Sequence, residues 1–230
     1  GAMPAMALGF HWVGVELNPE YVHIANQNFD LWQRLGPQRG SARIVQGDSR
    51  DDNGLRAGSF KAAIASPPYG QTLTNAGEGP GARWDTKHHL PGNSHKISSR
   101  RDYGRDPANL ANLSTRRGRH GEPSAFERSA LAVIHQTHRL LCDDGIAVWV
   151  TKDYVRRGKR VPFSDSWEGL CVATGFHCIG RVQATFVDSR ADQLDLFGGR
   201  HNRDRQHKSH WRRAMEEQGA PAIDWEDVRF

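Results

Sequence analysis

Short apolar runs that end in polar turns and alternate with longer amphipathic stretches constrain this chain most. Residues 10–17 (FHWVGVEL) form the first run, and Asn18-Pro19 opens a helical stretch, with Asn as N-cap and Pro in the first turn. That stretch continues to about Leu35 with apolar residues near 3.6-residue spacing. Residues 41–46 (SARIVQ) and 60–65 (FKAAIA) are the next predicted strands. Strands that alternate with helices predict an α/β domain on a mainly parallel sheet.

The second half of the chain continues the alternation. Its predicted elements are helices over residues 124–141, 167–174 and 209–217 and strands over residues 146–150, 178–187 and 228–230. Asp143-Asp144-Gly145 is the expected stop of the first of these helices.

Residues 71–122 interrupt the pattern. They contain Gly, Pro, Asn, Ser and Arg without sustained apolar periodicity, and they are too long for an ordinary connection. We therefore predict one domain, made of residues 1–70 and 123–230, with residues 71–122 as an inserted functional loop. Residues 71–125 hold nine Lys and Arg against five Asp and Glu, so this loop is a candidate for contact with phosphates, the alternative being a solvated surface loop.

Composition excludes several classes of protein. No apolar run approaches the roughly 20 residues that a bilayer span needs, and no secretory signal is evident at the first residues, so a cytoplasmic location without membrane contact is expected. The cysteines Cys142, Cys171 and Cys178 lack metal-ligand spacing, so we expect reduced thiols and no metal site. The formal net charge of +5 hints at an acidic partner without identifying one.

Polar residues follow each of the first three predicted strands. Glu16 ends the first, Gly47-Asp48-Ser49 follows the second, and Ser66-Pro67-Pro68-Tyr69 follows the third. Because ligands of open α/β sheets bind outside the carboxyl ends of the strands, we expect these segments to meet at one edge. Each also has a structural interpretation: a solvent-facing acid for Glu16, an Asx-turn for Asp48, and a packed Pro-Pro turn for residues 66–69.

The Ser66-Pro67-Pro68-Tyr69 segment resembles the signature of the DNA amino-methyltransferases that use S-adenosylmethionine. In that family an Asp, Asn or Ser precedes Pro-Pro and an aromatic residue. The resemblance extends to residues 13–21 (VGVELNPEY), to the helix and strand over residues 124–150, and to residues 152–156 (KDYVR). It implies a Rossmann-like methyltransferase fold, with a mainly parallel sheet and helices on both faces.

The resemblance also implies a reaction. An exocyclic amino group of cytosine or adenine is a poor nucleophile, and acceptors fixed on its two N–H groups localise its lone pair as the methyl group arrives. By resemblance, the Ser66 side chain and the Pro67 carbonyl are these acceptors, Pro68 stiffens the turn, and Tyr69 stacks on the base after it leaves the duplex.

By the same resemblance, five residues bind the cofactor. Glu16 would hold the ribose hydroxyls, as an acid does at this place in nucleotide-binding βαβ units. Asp48 would accept from the adenine amino group. Leu17, Ser49 and Ser66 complete the implied cofactor set.

The family's Asp-Pro-Phe-x-Gly-x-Gly loop and the strand before it are not found in this sequence. Residues 1–9 (GAMPAMALG) resemble the end of that loop plus the first helix. Two explanations stay open, namely residues absent from the sequence as given or a relative with weakened cofactor affinity. We therefore expect weak or no cofactor binding by these 230 residues alone.

Double-stranded DNA is the partner that the resemblance implies, within a bacterial or phage restriction-modification setting. The predicted DNA-binding residues are Arg83, Lys87, Lys96, Arg100, Arg101, Arg105, Arg116 and Arg117. Lys152 and Asp153 either line the target pocket or form a surface ion pair. Ser at the first motif position favours N4 of cytosine slightly over N6 of adenine. The alternatives are an RNA or protein-glutamine methyltransferase and a catalytically impaired DNA-binding relative.

Overall fold

The computed structural model describes residues 1–35, 39–68, 106–156, 159–185, 187–189, 204–206 and 225–229. The chain divides into two compact units: the first comprises residues 1–61 and 68–145, the second residues 62–67 and 146–230. The described helices are α1 (Ala2–Ala7), α2 (Pro19–Arg34), α3 (Ala125–Leu140), α4 (Phe163–Ala173) and a 3-10 helix (Leu110–Asn112). The strands are β1 (His11–Glu16), β2 (Ser41–Gln46), β3 (Phe60–Ala65), β4 (Leu141–Thr151), β5 (Tyr154–Arg156), β6 (Lys159–Val161), β7 (Arg181–Thr185), β8 (Val187–Ser189), β9 (Asp204–Gln206) and β10 (Trp225–Arg229).

The first unit contains a parallel β-α-β arrangement. Strands β1 and β2 pair in parallel from His11 opposite Ser41 to Glu16 opposite Gln46, and helix α2 connects them. Parallel neighbours require such a crossover, which is the repeating unit of Rossmann-like sheets. The predicted α/β class is therefore confirmed.

Helix α2 packs on β1 through aromatic contact. Phe29 is buried and meets the Trp12 ring edge to face, with centroids 5.9 Å apart. Gly14 makes room for the indole, because a Cβ at that position would lie 2.1 Å from the Trp12 ring. The Asn18 side chain accepts from the Glu20 amide at 2.8 Å, which is the N-cap that the sequence predicts.

Helix α3 begins with a capping box. The Glu127 amide donates to Ser124 Oγ at 3.1 Å, and the Ser124 amide donates to Glu127 Oε2 at 2.8 Å. Phe126, Ala130 and Ile134 form its buried face, in agreement with the predicted periodicity.

The sheet of the second unit has the strand order β3-β4-β10-β7. Strand β10 runs antiparallel to both β4 and β7, an arrangement that sequence analysis did not anticipate. Trp149 of β4 and Trp167 of α4 pack edge to face at 5.2 Å between centroids, with Phe163 beside Trp167. These rings form the core of this unit.

The starts of two strands differ from prediction. Extended backbone of β4 starts directly after α3, at the buried Leu141, so the exposed Asp143 and Asp144 lie within the strand rather than before it. The predicted strand over residues 178–187 is wrong at its start. There Gly175 adopts a left-handed φ of +101° that ends α4, and β7 begins only at Arg181.

Two further predictions concern the last third of the chain. The predicted strand over residues 228–230 corresponds to β10, which begins at Trp225, and the predicted helix over residues 209–217 lies outside the described residues. In the part of the chain that is described, no helix is both long and apolar enough to span a bilayer.

Candidate active site

The first two predicted site segments lie at one edge of the β1-β2 pair. Glu16 is opposite Gln46 in the parallel register, and the Gly47 amide donates to the Glu16 carbonyl at 3.0 Å. The loop that begins at Gly47 and contains Asp48 therefore starts beside Glu16. This is the meeting of strand ends that a parallel sheet requires.

The Glu16 carboxylate is held in a fixed orientation by the start of helix α2. Its Oε1 accepts from the Asn18 amide at 2.9 Å, and the residue is half-buried, as is Leu17. Within the described residues no second hydrogen bond reaches this carboxylate, so Oε2 is available to a ligand. A carboxylate with one oxygen anchored and one available is suited to accept from a hydroxyl group.

The Asp48 carboxylate is instead occupied by Arg50. Arg50 Nε lies 2.9 Å from both Oδ1 and Oδ2, the Arg50 amide donates to Oδ1 at 2.9 Å, and Nη2 donates to Oδ2. The contact from the Arg50 amide forms an Asx-turn, which is the structural alternative that the sequence offered for Asp48. Hydrogen bonds from Arg50 lower the pKa of Asp48, although partial burial opposes the shift. Ser49, which lies between the pair, is exposed.

Asn53 organises the rest of this loop. Its Nδ2 donates to the carbonyls of Asp48 at 2.6 Å and Asp51 at 2.9 Å. Its φ of +52° is left-handed, a conformation that Asn tolerates better than most residues. Gly47 is required beneath it, because a Cβ there would lie 1.9 Å from Asn53 Oδ1. Sequence analysis missed Asn53, and the Asn-Gly pair at residues 53–54 was the available signal.

Helix α3 fixes the far side of the loop. Arg139 Nη1 donates to the Leu55 carbonyl at 3.1 Å, and Nη2 donates to Asp52 Oδ1 at 2.7 Å. The Gly58 amide donates to the Arg139 carbonyl at 3.0 Å. The loop after β2 is therefore tied to the helix at both of its ends, because Arg50 Nη1 also reaches Ser129 Oγ at 3.3 Å.

Ser66 begins the motif that follows β3. Its Oγ donates to the Val150 carbonyl of β4 at 3.0 Å, while the residue itself is exposed. Pro67 is buried and Pro68 is exposed. Tyr69 lies outside the described residues, so its predicted stacking stays a prediction. Ser66 and Pro67 belong to the second unit, whereas Glu16 and Asp48 belong to the first.

Buried polar contacts immobilise the end of β4, next to the carbonyl that Ser66 contacts. Thr151 Oγ1 donates to Ser164 Oγ at 3.0 Å, and Asp153 Oδ1 accepts from the Ser164 amide at 3.0 Å. Arg160 Nε donates to Asp153 Oδ2 at 2.8 Å. Burial acts to raise the pKa of Asp153, but the Ser164 amide and Arg160 outweigh it, so this pKa is lowered. Asp153 is therefore a buried acceptor at the start of helix α4, and its ion pair is with Arg160.

Most of the predicted DNA-binding residues lie outside the described residues, namely Arg83, Lys87, Lys96, Arg100, Arg101 and Arg105. Arg116 and Arg117 are described and exposed, and Arg117 Nε pairs with Glu127 Oε1 at 2.9 Å. The pair raises the pKa of Arg117, so it stays cationic beside the start of α3.

The end of the predicted insertion is packed rather than extended. Leu110 and Ala111 are buried, and the Phe126 amide donates to the Ser114 carbonyl at 3.1 Å. Sequence analysis missed this because the apolar segment is too short to show periodicity. Among the described residues no group of His, Cys, Asp or Glu is arranged to hold a metal ion.

Comparison with known proteins gives a distant likeness in structure only. No family model matches the chain, and no curated protein matches it. A protein from Thermus thermophilus, provisionally described as a DNA modification methylase, is similar with 14% identity and a TM-score of 0.38, over 80% of this chain and 50% of that one. Its complex with S-adenosyl-L-methionine is similar with 15% identity and a TM-score of 0.37, over 95% and 54%.

The chain thus spans about half the length of that protein. At these values the likeness assigns neither a family nor a function.

Proposed function

We propose that this chain is the catalytic part of a methyltransferase that uses S-adenosylmethionine and modifies the exocyclic amino group of cytosine or adenine in double-stranded DNA. The hydrogen bond from the Ser66 hydroxyl to the Val150 carbonyl carries the proposal. A hydroxyl has one proton to donate and two lone pairs that accept. Because the proton is already engaged within the protein, the exposed oxygen presents only acceptors outward.

An outward-facing acceptor is what methylation of an amino group needs. An N–H bonded to Ser66 Oγ would be drawn toward tetrahedral geometry, which returns the nitrogen lone pair from the ring to the reacting atom. The adjacent Pro67 carbonyl is the proposed second acceptor. The buried Pro67 ring and the rigid end of β4 would keep both oxygens in place without reorganisation.

Glu16 fits a cofactor that carries a ribose. Its anchored Oε1 and available Oε2 lie at the carboxyl end of β1, directly before helix α2. When bound, S-adenosylmethionine would supply an electrophilic methyl group on a sulfonium. Leu17 and Ser49 are the proposed flanking contacts, and Asp48 is the proposed acceptor for the adenine amino group.

Arg116, Arg117 and the basic residues from Arg83 to Arg105 are the proposed contacts with DNA phosphates. Such contacts set register on a duplex and make binding depend on salt. The target base is proposed to leave the duplex, because its amino group cannot otherwise reach a methyl donor.

Product analysis tests the proposal. The chain is incubated with methyl-labelled S-adenosylmethionine at millimolar concentration and with duplex DNA, single-stranded RNA or a glutamine-containing peptide in separate reactions. We expect label only in DNA, as N4-methylcytosine or N6-methyladenine after digestion to nucleosides. Label in RNA or in the peptide would overturn the proposed substrate. Because millimolar cofactor compensates for the weak binding expected from the sequence, absence of label in all three would overturn the proposed reaction.

A second candidate is a DNA-binding relative with impaired methyl transfer. The occupation of Asp48 by Arg50 favours it, because both oxygens of this carboxylate already accept from Arg50. Salt-dependent duplex binding without any methylated nucleoside would identify that case.

A further inference from the structure

Three N–H groups of Arg50 cover both oxygens of the Asp48 carboxylate, and the single Nε hydrogen is shared between them. A carboxylate offers about four lone-pair sites, two on each oxygen. Oδ1 receives the Arg50 amide and Nε, and Oδ2 receives Nε and Nη2. A further N–H donor therefore competes with Arg50 for this carboxylate.

The guanidinium is held on its other side as well. Arg50 Nη1 donates to Ser129 Oγ on helix α3 at 3.3 Å, and the side chain is mostly buried, with 24% of it exposed. The Arg50 guanidinium is thus held on two sides, by Asp48 and by Ser129.

Alternative anionic partners lie near the guanidinium. Asp51 and Asp106 both act to raise the pKa of Arg50, so they are close enough to interact with its charge. A guanidinium that left Asp48 would therefore keep favourable electrostatic contacts within the first unit. Release would therefore break the side-chain contacts with Asp48 while the charge keeps the attraction of these two carboxylates.

We propose that Arg50 is an internal competitor that closes the Asp48 site, and that an adenine-bearing ligand binds by displacing the guanidinium from this carboxylate. The inference rests on the proposed function, in which Asp48 accepts from the adenine amino group. It assigns Arg50 an inhibitory role that no resemblance implies. Removal of the Arg50 guanidinium should therefore strengthen binding, whereas a residue that positions Asp48 would weaken binding when removed.

Binding of S-adenosylhomocysteine to the full chain tests the competitor role. Calorimetry, or NMR titration at millimolar ligand, would compare the wild type with Arg50→Met, Asp48→Ala and the double variant. We expect Arg50→Met to bind roughly tenfold tighter, since one charged hydrogen-bond arrangement no longer has to be broken. The double variant should show none of this gain, because its residue 48 lacks the acceptor carboxylate.

Two controls separate charge from position. Arg56→Met removes an exposed arginine of the same loop and should leave affinity unchanged. Arg50→Lys keeps the charge but loses the two-pronged contact, so we expect an affinity between those of the wild type and Arg50→Met. This variant also keeps the test decisive if Arg50→Met folds poorly.

The outcomes distinguish the competitor role from the proposed function. If the wild type binds the ligand and both Arg50 variants bind it equally well or more weakly, the competitor role is overturned. The cofactor assignment then still stands. A gain that persists in the double variant also overturns it. If no variant binds the ligand, both the competitor and the proposed cofactor are overturned.

Discussion

Two sites follow strand ends: the edge that carries Glu16 and Asp48, and the corner formed by the motif that begins at Ser66. Their polar groups are hydrogen-bonded within the protein in opposite ways. At the edge, Arg50 occupies the acceptors of Asp48. At the corner, Val150 takes the Ser66 proton and leaves the acceptors exposed. The difference shows what a motif side chain needs in order to act on a substrate. Its neighbours must bond the donor or acceptor that the reaction does not use and leave the other one available.

Replacing Ser66 by Ala is the strongest way to break this comparison. Loss of one preorganised hydrogen-bonding group at a reacting centre lowers the rate by about 100-fold to 1,000-fold. We expect such a loss in single-turnover methyl transfer to DNA, with unfolding unchanged because Ser66 is exposed.

Ser59→Ala is the matched control for that variant. Ser59 Oγ also donates to a backbone carbonyl, that of Arg56 at 2.6 Å, but it lies outside the motif. Equal losses in the Ser59 and Ser66 variants would mean that the hydroxyl contact is structural in both.

Asp153→Ala should give the largest loss of stability. It leaves the buried Ser164 amide without its acceptor and removes the partner of Arg160. We expect the free energy of unfolding to fall by about 2–3 kcal/mol in chemical denaturation, since Arg160 is half exposed and can hydrate.

Two other variants sharpen that result. Asp153→Asn keeps an oxygen for the Ser164 amide and should lose about 1 kcal/mol. Asp144→Ala, at an exposed carboxylate of β4, should change stability by less than about 0.5 kcal/mol. A comparable loss in the Asp144 variant would show that Asp153 contributes no specific contact.

The sequence predicted the elements whose signals are local. The Asn18 cap, helix α2, and strands β2 and β3 follow from turn residues and apolar periodicity, and the structure has them at or near the predicted bounds. The adjacency of Glu16 and Asp48 follows from the parallel pairing of their strands. Such features need only a few neighbouring residues to specify them.

Long-range contacts could not be read in the same way. The bond from Ser66 to Val150 and the bond from Ser164 to Asp153 depend on which strand ends meet, and no local pattern encodes that. The Asp48 pair is local, but turn chemistry does not specify where the Arg50 side chain lies, so the sequence does not predict that this carboxylate is occupied.

Replacing Asn53 tests how much its contacts stabilise the loop that carries Asp48. Asn53→Ala removes two hydrogen bonds to carbonyls and places a less tolerant residue at a φ of +52°. We expect a loss of about 1–2 kcal/mol in the free energy of unfolding.

Asn53→Gly separates the two causes, because Gly adopts the left-handed conformation without strain. It should lose less stability than Asn53→Ala. If both variants unfold at the same denaturant concentration, the backbone conformation is not what Asn53 contributes.

The pH dependence of stability gives the smallest expected effect. Because the pKa of Asp48 is lowered in the folded protein, the stabilisation by its pair with Arg50 is complete above the ordinary carboxyl value of 3.8 and is lost as the pH falls through the lower, folded value. Asp153 and Glu127 also have lowered pKa values, so the wild type alone does not isolate Asp48. The Asp48→Asn variant removes only the contribution of Asp48 to the pH dependence of stability.

From pH 5 to pH 2 we therefore expect the free energy of unfolding to fall by about 1 kcal/mol more in the wild type than in Asp48→Asn, a modest amount because the pair is partly exposed. Added salt should reduce this difference between the wild type and Asp48→Asn, since it screens a partly exposed charge pair. Parallel pH curves would show that Arg50 does not bind the ionised carboxylate in solution. The contrast between a closed Asp48 edge and an open Ser66 corner would then disappear, and Asp48 would be as accessible to a ligand as Ser66.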